Sequence, residues 1–79
     1  MSNDPVLELQ AWLEQRQRWI EQPDDRTRYL LRRIVETTPS LSKNPAGFLP
    51  YAEHKYGIKF KEPAVQKALD ELQAEKDKG

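Results

Sequence analysis

The stretch DRTRYLLRRIVET, residues 25–37, decides the fold class. Leu30, Leu31, Ile34 and Val35 recur at the spacing of one face of a 3.6-residue helix, whereas a strand would need alternation. The preceding Gln22-Pro23-Asp24-Asp25 is a turn that offers the helix an acidic N-cap. The opposite face carries Tyr29 with Arg26 at i−3, Arg32 at i+3 and Arg33 at i+4, the spacings at which helical side chains are neighbours. One segment thus supplies a core stripe and an outward face of arginines around an aromatic ring.

Toward the N-terminus the same period continues. Asn3 or Asp4 caps a helix, Pro5 suits its first position, and no breaker occurs before Pro23, so a helix is expected over about 4–22. Val6, Leu9, Trp12, Leu13, Trp19 and Ile20 fall in one arc of roughly 140°, with Arg16 inside it between the tryptophans. Toward the C-terminus, residues 38–47 carry two prolines and a glycine and read as a loop with room for one short turn. A short helix over 48–56 holds Pro50 in its first turn and ends at Gly57 in left-handed geometry. Ile58-Lys59-Phe60-Lys61 alternates apolar and basic as a short extended link. Pro63 opens a helix over about 62–76, with Ala64, Val65, Ala68, Leu69 and Leu72 on one face.

The expected fold is all-α, a single helical domain over 1–79. It is a small four-helix orthogonal bundle with a helix-turn-helix-like C-terminal half. Its core is expected to hold Leu9, Leu13, Ile20, Leu30, Leu31, Ile34, Phe48, Leu49, Tyr56, Val65, Leu69 and Leu72.

Composition narrows the function classes. There is no cysteine, which removes disulfides and thiolate metal sites together, and the single histidine, His54, has no ligand cluster around it. By its helical angle His54 points away from the Phe48, Ala52 and Tyr56 side, as a solvated histidine would. No nucleophile–base arrangement is legible, and glycines at 47, 57 and 79 make no phosphate cradle. A non-enzymatic binding module is expected, with no metal, no cofactor and no small-molecule substrate. No basic segment followed by an apolar run opens the chain, and no 18 consecutive residues are apolar; no membrane partner and a cytoplasmic location are the expectation.

Formal net charge is zero, yet charge is segregated: residues 26–61 hold eight Lys and Arg against Glu36 and Glu53, and both ends are acidic. The order of helix, polar loop, short helix ending in glycine, link and helix fits a helix-turn-helix core. Tyr51-Ala52, Tyr56-Gly57-Ile58 and the run from Pro63 to Leu72 resemble the second and third helices of the winged helix-turn-helix domain in arginine-repressor-type regulators. That resemblance implies a DNA-binding regulator in which Gln66 and Lys67 read bases, with Lys59 and Lys61 on nearby phosphates. The family has Thr, Ser and Arg around its buried valine, where this chain has Pro63, Ala64, Gln66 and Lys67, and no strand pair follows to make a wing. Arg26, Tyr29, Arg32 and Arg33 would add phosphate contacts from the second helix.

A reading from another class stands beside it. A protein–protein adaptor or inhibitor would present the Trp12, Arg16 and Trp19 strip, or the Arg26, Tyr29 and Arg33 face, to a larger protein. A small subunit of a larger assembly is a third, and a homodimer would use the first helix. Each surface also has a plain structural reading: the tryptophans as core, the arginines as a solvated helix face.

Overall fold

The computed structural model describes residues 4–16 and 21–78. Among these the chain is helical with no strand: α1 Pro5–Arg16, α2 Asp25–Thr37, α3 Pro39–Ser42, a 3₁₀ turn Pro45–Gly47, α4 Phe48–Tyr56 and α5 Pro63–Lys78. The small all-α bundle is as expected, with four longer helices and two short turns among the described residues.

Asp4 starts α1, accepting from the Val6 N–H at 2.9 Å while its carbonyl takes the first helical bond from Glu8 at 3.0 Å. Asp24 does the same for α2, its Oδ1 accepting from the Thr27 N–H at 2.8 Å. The two carboxylates satisfy amides that have no partner inside their helices and lie at the positive ends of the helix dipoles. Helices α1 and α2 run antiparallel, since Trp12 lies by Asp24 and Arg26, and Asp4 to Val6 line a cleft with Ile34 and Thr37. Helices α2 and α5 run parallel, tied at Arg28–Glu71 and Arg32–Glu75.

The core draws on every helix: Val6, Leu9 and Leu13 from α1, Leu30, Leu31, Ile34 and Val35 from α2, Leu41 from α3, Phe48 and Ala52 from α4, and Ala64, Val65, Ala68, Leu69 and Leu72 from α5. Phe48 is fully buried and packs on Phe60 of the link, with ring centroids 5.3 Å apart. Gly57 ends α4 at φ 71°, where its N–H returns to the Glu53 carbonyl, a conformation that costs any side-chain-bearing residue strain.

Three expectations are revised. The first helix does not run unbroken to residue 22: residues 21–24 are non-helical and Pro23 is buried, while residues 17–20 lie outside the described residues. The loop expected over 38–47 holds two turns rather than one: Pro39 opens a single helical turn that drives Leu41 into the core, and Pro45 opens the 3₁₀ turn. Leu49 and Tyr56 are half-buried at the edge of the core, and Ile20 lies outside the described residues.

Candidate functional site

The exposed half of α2 is the part of the surface where the expected site residues gather. Its buried residues, Thr27, Leu30, Leu31, Ile34 and Val35, fix the helix against α1 and α5, so Arg26, Arg28, Tyr29, Arg32, Arg33 and Glu36 are turned outward. Tyr29 is 56% exposed, and Leu7 on α1 at 45% is the other large apolar side chain left open among the described residues. A tyrosine this open gains nothing for the fold from its ring.

The arginines around Tyr29 divide into two rows. On the α5 side Arg28 reaches Glu71, Nε to Oε1 at 3.1 Å, and Arg32 reaches Glu75 at 2.7 and 2.9 Å. The hydrogen bond to Glu75 leads in raising the Arg32 pKa above its ordinary value. Pairs this exposed stabilise the fold by about 1 kcal/mol or less. Their effect here is to hold guanidinium groups still and to neutralise them locally. On the α1 side the Arg26 guanidinium lies 5.6 Å from the centroid of the Trp12 ring, a cation–π distance. The Trp12 indole N–H points to Asp24 Oδ1 at 3.4 Å, so the ring is anchored to the cap of α2. Arg33 stands beside Tyr29, its Nη1 at 3.4 Å from the phenolic oxygen.

The other expected site residues fall elsewhere. Lys59 and Lys61 are exposed on the link, where Ile58 and Phe60 turn inward as the alternation requires. Lys59 lines a cleft of about 150 Å³ together with Glu14 of α1 and Glu62. Gln66 and Lys67 are exposed on α5, but the Gln66 amide donates to Asp70 at 3.0 Å on its own helix. The surface of α5 beyond them carries Asp70, Glu71, Glu75 and Asp77. Trp12 is half-buried against the core, between its two expected roles, while Trp19 and the side chain of Arg16 lie outside the described residues. His54 is exposed.

Arg28 and Glu36 belong to the same face and were not among the expected site residues. The i,i+4 relation of Arg32 to Glu36 was available in the sequence, whereas the pairing of Arg28 with Glu71 spans 43 positions and leaves no local trace.

A second polar corner lies at the far end of α2. Tyr56 donates to Asp4 Oδ2 at 2.5 Å, and that bond, ahead of burial, raises the Tyr56 pKa well above its ordinary value near 10. Lys55 lies over the rings of Tyr51 and Tyr56 at 5.5 and 5.7 Å. These groups satisfy one another and tie the start of α1 to the end of α4.

Among the described residues no group of three or more His, Asp or Glu could hold a metal ion, and no helix is long and apolar enough to cross a membrane. The chain matches no protein-family model, and no curated protein or solved structure is significantly similar to it. The functional reading therefore stands on the surface itself.

Proposed function

We propose that this chain is a non-catalytic protein-binding module that engages its partner through the exposed face of α2, with Tyr29 as the central anchor. The observation that carries the reading is the open tyrosine set among arginines whose positions are already held by Glu71, Glu75 and Trp12. Tyrosine and arginine are the side chains that most often dominate protein interfaces, and side chains ordered in advance lose less entropy on binding. The partner surface would supply carboxylates or aromatic rings to Arg26 and Arg33 and a flat apolar contact to Tyr29.

The DNA reading, which rests on the resemblance to arginine-repressor-type regulators, places Gln66 and Lys67 in the major groove. It is the weaker of the two on electrostatic grounds. Affinity for phosphates grows with the number of free cations, and here Arg28 and Arg32 are already paired with Glu71 and Glu75, while Asp70 and Asp77 add exposed carboxylates further along α5.

The test is photo-crosslinking with p-benzoylphenylalanine at position 29 of the full chain in its native cell, followed by separate protease and nuclease digestion of the adducts. A protease-sensitive adduct that is lost with Arg33→Glu is expected. An adduct removed by nuclease, or a protein adduct whose yield ignores Arg33→Glu, overturns the reading.

A further inference from the structure

Four exposed residues of α2, Arg26, Tyr29, Arg33 and Glu36, succeed one another at steps of three, four and three, the spacing of the seam along which two helices pack. Read backwards, the row is Glu36, Arg33, Tyr29, Arg26. Laid antiparallel on itself it sets each arginine against a carboxylate or an aromatic ring: Arg26 meets the partner's Glu36, and Arg33 meets the partner's Tyr29. Each contact occurs twice, as a two-fold axis requires. We infer that the partner on this face is a second copy of the chain, docked α2 against α2 in this register. The inference rests on reading the α2 face as a protein-binding surface, and it names the occupant.

Three observations support a second copy over an unrelated acidic surface. Arg26, Arg33 and Glu36 make no ion pair among the described residues, and the contacts of Arg26 with the Trp12 ring and of Arg33 with the Tyr29 hydroxyl leave both charges unneutralised for the seam. Arg32 falls beside the two-fold axis, where two copies would bring like charges together, and Glu75 already offsets it at 2.7 Å in each. Sliding the second helix by one turn is disfavoured in both directions: one way it sets Asp25 against the partner's Arg33 but also Arg26 against the partner's Arg32, and the other way it sets Arg33 against the partner's Arg33, so the charges favour this register over its two neighbours. An unrelated acidic partner would leave Glu36 facing like charge. Since α2 is about 20 Å long by its helical rise, the contact is small and the dimer responds to concentration and to salt.

Sedimentation equilibrium of the full chain over a concentration series, at low and high salt, tests this. The wild type is expected to show a monomer–dimer equilibrium that weakens with salt. Arg26→Glu alone and Glu36→Arg alone should each raise the dimer Kd roughly tenfold or more through like-charge contact. The double variant carrying both reversals should recover the wild-type Kd, because the pair is restored with its polarity exchanged, and Asp25→Arg should leave the dimer intact. All three substituted positions, 25, 26 and 36, are exposed, so circular dichroism should report unchanged helicity. A wild type that stays monomeric at every concentration, a double variant that fails to recover, or a dimer lost with Asp25→Arg overturns the inference. A monomeric wild type whose position 29 still crosslinks to another protein removes only the second copy and leaves the protein-binding reading standing; a nuclease-sensitive adduct there removes both.

Discussion

Tyr56 shows what a single side chain can do in so small a chain. Its ring packs at the edge of the core while its hydroxyl crosses to Asp4, 52 positions away, so one hydrogen bond ties the start of α1 to the end of α4. A hydrogen bond to a charged acceptor is worth about 1.5–3 kcal/mol when made inside a protein. Tyr56→Phe should therefore lower unfolding stability by roughly 1–2 kcal/mol at neutral pH, as the site is only half-buried. The pH dependence has a definite sign. The folded pKa of Tyr56 lies above its ordinary value near 10, so the stabilisation is fully present below about pH 10 and is lost as pH rises toward the folded value. Urea titrations of both proteins should show a constant gap at neutral pH that narrows above pH 10; a gap that stays flat would show that the bond is not formed. Nothing in the sequence marks this pairing. The apolar spacing put Tyr56 in the core with its hydroxyl unassigned, and Asp4 was legible only as a cap. Tyr29 is the opposite case: its place among arginines on a polar face was legible in full, because i±3 and i±4 neighbours are set by the helix alone.

Helices α2, α4 and α5 were legible to within a residue or two where a cap or breaker marks an end: Asp24 before α2, Gly57 after α4 and Pro63 at the start of α5. At the far side of α1 the apolar period allows helix as far as Pro23, yet residues 21–22 are already non-helical; no cap or breaker before Pro23 marks that in the sequence, and residues 17–20 lie outside the described residues. A short turn in the loop was legible, but not its place at Pro39–Ser42, because four residues carry no period to read. Asp24 connects these elements. Its Oδ1 accepts both the Thr27 N–H and the indole N–H of Trp12, so the cap of α2 is also a strut to α1. Asp24→Ala should lower stability by about 1–2 kcal/mol, the upper part of the range for N-caps, because the strut is lost with the cap. Asp24→Asn keeps an acceptor in place and should recover most of it, falling short by roughly 0.3–1 kcal/mol for the charge at the helix N-terminus. Denaturant midpoints of the three proteins check this. Equal losses for Ala and Asn would assign the effect to charge and refute the strut.

At the scale of the whole molecule, the question is how 79 residues without a disulfide hold one fold. Domains of this length carry about 4–12 kcal/mol of net stability by the usual per-residue range, and a core this small supplies roughly 3–5 kcal/mol of it. Such a molecule cannot be unfolded piecemeal, because each helix contributes to one continuous core and has no second set of contacts to fall back on. Phe48 is where this is most exposed to test. It is the largest fully buried side chain among the described residues, it brings α4 onto the rest of the bundle, and through Phe60 it fixes the link that carries Lys59 and Lys61. Phe48→Ala removes the ring and leaves a cavity, a change worth about 3–5 kcal/mol, comparable with the whole margin. The variant should be largely unfolded at ambient temperature by circular dichroism. Phe48→Leu keeps most of the volume and should remain folded with a lowered midpoint. If α4 were instead an appendage on an independent bundle of α1, α2 and α5, Phe48→Ala would melt only residues 48–56 and spare the rest. Amide exchange separates the two: protection lost together in α2 and α5 supports one cooperative unit, and protection retained there with α4 exchanging alone would show two.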